Sequence, residues 1–447
     1  MDGPQTYAPP TRPDGRVLNP WFIAVAVAMT TFMEVLDISI ANVSLRHIAG
    51  DMAVSQDEST WVLTSYMVAN AIILPMSGWL SNLMGRRRLF LTCVVLFTIS
   101  SLLCGLAPSL PLLIVFRVLQ GLAGGGLQPS SQAILTDSFP LEKRGMAFAV
   151  YGLTAILAPA IGPTVGGWIT DNYTWRWIFF INIPVGIISY AMCTRLVFDP
   201  KYYTDYRQKL KDSGFAIDYF GFILMALGLG LLQILLDKGQ QEDWWRSSFI
   251  TGIGLISACS LILFVFWELE QDNPMVDIRL LLNKNFMVSN ILIFLLGFIL
   301  FGSTALLPLM LQTLMGYSAT DSGMVLSPGA LMVLFFMPLI GYLMNKVDVR
   351  HLITFGMLAN GIALYLLAHV TPQTDYWALA EYRVIQGIGL GFLFIPISAA
   401  GFDGVPAIKY NNASALISLS RNLGGSVGIA IMETLMVRSS EQHQSDL

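Results

Sequence analysis

The feature that most limits what this chain can fold into is a series of long stretches almost without charge, among them 89–106, 145–170, 247–267 and 285–315. About 18 apolar residues in a row are enough for a helix to cross the hydrocarbon core of a bilayer. An open sheet cannot do so, because its edge N–H and C=O groups would lie unpaired in lipid. The composition agrees: of 447 residues, 55% are hydrophobic and only 12% are charged, about half the charged fraction of a soluble domain. The first partner to expect is therefore the lipid bilayer. The net charge of −4 belongs to loops and gives no sign of a nucleic-acid partner.

The hydropathy pattern predicts an all-α membrane protein with thirteen spans, near 21–43, 59–83, 89–107, 110–135, 145–168, 175–197, 215–236, 247–268, 286–311, 321–345, 351–370, 376–400 and 411–437. Residues 1–20, mostly polar and Pro-rich, are expected to form a disordered cytoplasmic tail. The basic residues orient the spans. With the N-terminus inside, most of the 25 Lys and Arg fall in or beside inner loops, as the positive-inside bias requires. The four cysteines (Cys93, Cys104, Cys193, Cys259) lie within apolar blocks without paired spacing, so they are expected to be packing residues, with neither disulfide nor metal.

The chain also repeats itself. RVLQGL, starting at Arg117 in the fourth span, recurs as RVIQGI at Arg383 in the twelfth; PMSGWL at Pro75 recurs as PLIGYL at Pro338. Two matches in order at nearly one offset imply two similar halves running in the same direction. Pairing the second span with the tenth and the fourth with the twelfth makes spans seven and eight an insertion. The expected division is an N-terminal six-helix bundle at 21–197, a cytoplasmic linker at 198–214, an inserted two-helix hairpin at 215–268, and a C-terminal bundle at 269–447. The last has five of six helices, so a fourteenth span is expected to be missing, with the chain ending in an outer loop at 439–447.

These motifs resemble the major facilitator superfamily, and within it the fourteen-span drug:proton antiporters of the EmrB type. The resemblance rests on LDISIANV from Leu36, on GWLSNLMGRRR from Gly78, on RVLQG from Arg117, and on APAIGPTVGG from Ala158. It implies the major facilitator fold of two six-helix bundles. It further implies export of small amphipathic or hydrophobic cargo in exchange for protons, from a bacterial inner membrane. An EmrA-type periplasmic adaptor and a TolC-type outer-membrane channel would be the partners. Carried over from the family, Gly78, Asn82, Gly85, Arg86 and Arg87 form the loop motif that stabilises one conformation. Pro159, Gly162, Pro163, Gly166 and Gly167 form the antiporter motif that helps seal the cavity. Asn82 departs from the family, which has an aspartate there; a lock built on that carboxylate is absent, although the arginines can still bind helix C-terminal carbonyls or anionic lipid headgroups.

The residues themselves point to charge inside the bilayer. A mid-membrane charge costs roughly 2.5–3.5 kcal/mol and so normally has a partner or a task. Glu34 and Asp37 stand three apart on one face of the first span. Counted from their outer ends, Asp37 and Arg117 lie at matching depth, roughly 9–10 Å down. Burial favours a neutral carboxyl and a guanidinium favours a charged one, so Asp37 is the expected proton carrier, tuned by Arg117, with Glu34 supporting coupling or cargo charge. The alternative is a static pair that fixes helix packing. Arg383 and Glu381 are expected to form either a local pair or a transport element of the second half. Asn42, Tyr66, Asn70, Gln120, Gln128, Arg383 and Arg421 are the candidates for lining a central cavity. Glu433 and Glu268, near span ends, are expected to snorkel.

No nucleophile–base pair or metal-ligand set stands out, and Gly124, Gly125 and Gly126 lie within a span instead of forming a phosphate loop. The expectation is a transporter, not an enzyme, with protons as coupling ion and neither cofactor nor metal. Proton-coupled uptake and a non-transporting receptor or scaffold are the alternatives.

Overall fold

The computed structural model describes residues 9–12, 15–212 and 218–445. Among these there is no strand, only an isolated bridge between Thr11 and Val17. Twelve helices are long and apolar enough to cross a membrane, and a thirteenth is the bent helix Leu141–Asn172. In chain order the spans are Pro20–Val43, Gln56–Met84, Arg86–Leu106, Leu110–Ser138, Leu141–Asn172 and Trp177–Leu196, then Tyr219–Lys238 and Ser248–Glu270, then Lys284–Leu314, Ala319–Leu343, Val349–Ala368, Tyr376–Gly401 and Tyr410–Ser445. We call the first six the first half and the last five the second half. The membrane face where the first span begins is the N-terminal side; its opposite is the far side.

Local chemistry sets the span starts. Asn19 caps the first helix ahead of Pro20 at its first position. Ser55 with Glu58, and Ser318 with Asp321, form capping boxes at far-side starts, satisfying N–H groups that a helix end would leave unpaired. Three expectations are corrected or refined. The final helix runs on to Ser445 where a loop was expected at 439–447, because nothing after Gly428 in the described chain is a Gly or Pro that would stop it. The linker is largely the helix Lys201–Asp212, with 213–217 outside the described residues. Of the expected tail, 1–8 and 13–14 also lie outside them.

The halves meet along two seams: span two against span thirteen, and span five against span ten. On the N-terminal side both seams are shut. A Cβ on Gly78 would fall 1.8 Å from Asn412 Oδ1, and one on Gly341 would fall 3.0 Å from Met146 Cα. Phe148 stacks on Phe402 with centroids 5.4 Å apart, and Arg144 donates to the Tyr410 hydroxyl at 3.1 Å. One layer deeper, Tyr151 stacks on Phe394, and Gln132 donates to Tyr151 and Ser418. Toward the far side a cavity separates spans two and thirteen, while span five stays against span ten, where a Cβ on Gly323 would fall 2.0 Å from Thr164 Oγ1.

Spans seven and eight pack on each other where Gly228 admits Leu261 and its carbonyl accepts from Ser257 at 2.7 Å. Span seven also lies on span two, where Gly230 faces Val68 and Ile72. Trp244, just past span seven, donates to Thr434 of span thirteen at 2.9 Å. The hairpin is thus fastened to both halves on the far side.

Candidate functional site

Span one carries the charge on which the interior is organised. Asp37 accepts from Arg117 Nη1 at 2.6 Å, with the two side chains 1% and 0% exposed. Its other oxygen accepts from Gln120 at 3.0 Å and from Asn182 at 2.6 Å. Arg117 also donates to the Val62 carbonyl at 3.0 Å and to Gln120 at 2.8 Å, and its guanidinium lies over the Tyr66 ring, 4.3 Å from the centroid. Every one of these groups belongs to the first half. A buried ion pair is tolerable only when its remaining lone pairs and protons are bonded, and the amides of Gln120 and Asn182 do that for Asp37.

Glu34 lies one turn away, wholly buried. Gln128 Nε2 donates to it at 2.6 Å, with Asn70 and the Tyr66 hydroxyl at 3.3 and 3.4 Å. The carbonyl of the Gln128 amide in turn accepts from Arg421 Nη2, on span thirteen. Tyr66 therefore links the two carboxylates, its hydroxyl on Glu34 and its ring face on Arg117.

Above this floor a cavity of about 670 Å³ reaches the far side, where Arg46, His47 and Gln312 stand at its rim. Of the residues expected to line it, Asn42, Tyr66, Asn70, Gln128 and Arg421 do so. Gln120 and Arg383 do not. Gln120 is three residues on from Arg117, and that helix face turns into the first half, toward Asp37. Arg383 is buried inside the second half, donating to Gln386 at 2.5 Å and to Ser303 at 3.4 Å. Its expected pairing with Glu381 is not made, since residues two apart on a helix point in different directions and Glu381 is exposed.

The antiporter motif forms the wall of span five. Pro163 has no N–H to give the Pro159 carbonyl four residues back, and Ser39 of span one donates to that carbonyl instead, at 3.2 Å. Gly162 and Gly166 make room for this approach: a Cβ on Gly162 would sit 2.3 Å from Ser39 Oγ. Pro159, Pro163 and Gly167 face the cavity. The helix bends by 43° at this point.

The loop motif gathers on the N-terminal side. Gly85 takes a φ of 94°, a conformation that suits glycine. Arg86 pairs with Asp137, and Arg87 donates to the Thr194 carbonyl near the end of span six at 2.7 Å. At Asn82, the position where the family carries a carboxylate, the side chain accepts from Tyr203 at 3.1 Å and the backbone carbonyl accepts from Arg207 at 3.1 Å. Tyr203 also shares a hydrogen bond with Ser81 at 2.5 Å and receives one from Asn411 of span thirteen at 3.3 Å. The linker helix thus ties the motif to the second half. Burial holds the Tyr203 phenol above its usual range, against the lowering pull of Arg86, so it remains protonated.

Sequence reasoning missed three residues. Asn182 is a lone polar residue in span six, with no pattern to mark it. Asp237 of the inserted span seven and Glu433 of span thirteen both line the cavity; for Glu433 this replaces the expected snorkelling. Glu268 does not snorkel either: it is buried and accepts from the Val276 N–H at 3.2 Å.

A family model described as Major Facilitator Superfamily matches residues 27–429. The multidrug export protein EmrB of Haemophilus influenzae is 40% identical over 427 residues, covering 95% of this chain and 82% of that protein. The probable multidrug resistance protein EmrY of Escherichia coli is 39% identical, covering 96% and 82%. The fatty acid resistance protein FarB of Neisseria gonorrhoeae is 37% identical, covering 95% and 82%. Among solved structures, the proton:xylose symporter XylE aligns with a TM-score of 0.65 at 14% identity, covering 94% of this chain and 89% of that one. At that identity the likeness speaks for the fold alone.

Proposed function

Since the chain belongs to the Major Facilitator Superfamily, as an EmrB-type membrane transporter and not an enzyme, we propose that it exports small amphipathic or hydrophobic compounds in exchange for protons. The observation that carries the reading is the siting of Glu34. This buried carboxylate contacts the residues that floor a cavity open on one side only. Such a group takes and gives up protons through the chamber in which cargo binds, which makes the two able to compete for one conformation. Asp37, the carrier expected from the sequence, has both oxygens engaged by Arg117, Gln120 and Asn182; in this reading Glu34 takes the proton and Asp37 sets the field around it. The relatives' names, multidrug export for EmrB and fatty acid resistance for FarB, support efflux of varied apolar cargo.

In this reading the N-terminus is cytoplasmic in a bacterial inner membrane, so the closed side faces the cytoplasm and the cavity opens outward. The bundles at 21–197 and 269–447 rock about the two seams, and the 215–268 hairpin rides with them. An EmrA-type adaptor and a TolC-type channel complete the route. One proton crossing 100 mV releases about 2.3 kcal/mol, and each pH unit adds roughly 1.4 kcal/mol. A single exchanged proton therefore sustains a cargo gradient of tens- to hundreds-fold.

The test is the susceptibility of cells lacking their own efflux pumps to a panel of amphipathic compounds, with and without this protein. Retention of dye in energised cells is measured alongside, before and after an uncoupler. Raised tolerance and uncoupler-sensitive dye expulsion are expected. Unchanged tolerance across the panel, together with increased dye uptake, would instead mark an importer.

A further inference from the structure

We propose that Gln128 carries the protonation state of Glu34 from the first half to the second, through Arg421, and so holds the cavity open. The inference rests on the proton-coupled reading above and assigns the coupling to particular atoms. Among the described residues, Arg383 is buried with its partners inside the second half, and of the two carboxylates of span one only Glu34 is linked across the halves. The partners of Asp37 and Arg117 all lie on spans one, two, four and six. When the halves move as bodies, that network moves with the first. Glu34 is bonded to Gln128 on span four, and Gln128 to Arg421 on span thirteen.

The chemistry of the joint is directional. A carboxamide has one donating end and one accepting end, whereas an ionised carboxylate only accepts and a guanidinium only donates. With Glu34 ionised, the Gln128 NH₂ must face Glu34 and its carbonyl must face Arg421, which is the observed arrangement. With Glu34 protonated, the carboxyl gains a donor of its own. It can then bond the amide carbonyl, and the acceptor that held Arg421 is withdrawn. The charged state fixes the amide in the orientation that bridges the halves, and the neutral one frees it to turn its carbonyl from Arg421 to the carboxyl. A proton arriving from the open side thus releases the outward-open state, the order an antiporter needs.

The other groups around Glu34 do not substitute for this link. Tyr66 faces it from span two and donates at 3.4 Å. Asp37 and Arg117 neutralise each other on the far side of that ring. Spans five and six, which also pack on span one, carry their charged residues only at their ends (Glu142, Lys143, Arg144 and Asp171; Arg195).

The experiment places spin labels at the cavity rim, through Arg46→Cys and Gln312→Cys with Cys259→Ser, in the full chain in nanodiscs. The rim distance is then followed from about pH 9 down to about pH 5, the range over which buried carboxylates titrate. With Gln128 intact, the long-distance population is expected to dominate at high pH and give way to a shorter one as pH falls. Glu34→Gln, nearly isosteric with the protonated acid, is expected to show the short population at every pH. Gln128→Leu is expected to lose the pH dependence. If Gln128→Leu titrates as the unsubstituted protein does, the inference is overturned. If the unsubstituted protein shows no pH dependence at all, the proton-coupled reading itself fails, which is a distinguishable result.

Discussion

Arg117 stands to Asp37 in the first half as Arg383 stands to Ser303 in the second. In each, the arginine bonds the glutamine three residues on, Gln120 at 2.8 Å and Gln386 at 2.5 Å. Each glutamine then donates to the opposing helix, to Asp37 at 3.0 Å and to Ser303 at 2.9 Å. The glycine after each glutamine lets a backbone pass: a Cβ would fall 2.4 Å from the Tyr66 carbonyl at Gly121 and 2.1 Å from the Gly329 carbonyl at Gly387. The repeated motif is therefore a packing device common to both halves. In the first half a carboxylate, Asp37, stands where the second half has the Ser303 hydroxyl.

Removing that carboxylate leaves a guanidinium uncompensated in the interior. Asp37→Asn is expected to cost about 3–5 kcal/mol of stability, read as a lowered unfolding midpoint in detergent, and to abolish pH-driven transport. Combining it with Arg117→Gln should cost less than the two single changes summed, because the double variant no longer strands a charge. Simple additivity would mean that the pair is not coupled.

The contact between spans one and five is equally specific. Gly162→Ala places a methyl within 2.3 Å of Ser39 Oγ and is expected to destabilise by about 1–3 kcal/mol, with export reduced. Adding Ser39→Gly should return the space and part of the stability. It should not return all of it, since the Pro159 carbonyl loses its donor. A Gly162→Ala protein with full stability and transport would show that the close approach is unnecessary.

On the N-terminal side, the Tyr203 hydroxyl joins Ser81, Asn82 and Asn411. Its phenol is raised by burial, so the protonated form that makes these bonds is the folded form. Its contribution is complete below about pH 10, the unfolded value, and disappears only as pH climbs through the higher folded value. Tyr203→Phe should thus weaken closure of this side equally from acid to mildly alkaline pH, seen as faster cysteine labelling at the closed seam. A labelling difference that vanished between about pH 6 and 8 would assign the effect to some other group.

Asp237, whose carboxylate accepts from Thr64, and Glu433 bring negative charge to the cavity wall. Asp237→Asn is expected to weaken transport of cationic cargo relative to a neutral analogue by roughly fivefold, the effect of about 1 kcal/mol for a partly solvated charge. Competition between the two cargoes in vesicles measures it; equal loss of both would leave the residue without a part in selection.

The spans were legible because lipid demands long apolar helices, and the depth of Asp37 and Arg117 was legible because helical rise converts residue counts into distance. What sequence could not supply was facing. Gln120 and Gln128 are both polar residues of span four, yet one turns into the first half and the other into the cavity. The turn of the helix relative to its neighbours decides this, and no local pattern records it. Glu433 looked like a span-end residue for the same reason: it lines the cavity because span thirteen presents that face. The inserted helices gave no hint of their wall role, since the repeat that located them says only that they are extra.

The most direct test of the account is cargo movement in proteoliposomes holding the purified protein, with a fluorescent amphiphile outside and a pH gradient imposed in either sense. Accumulation is predicted when the lumen is acidic, abolished by an uncoupler and by Glu34→Gln. Accumulation driven instead by an acidic exterior, or unaffected by the gradient in both directions, would contradict proton exchange as the source of work.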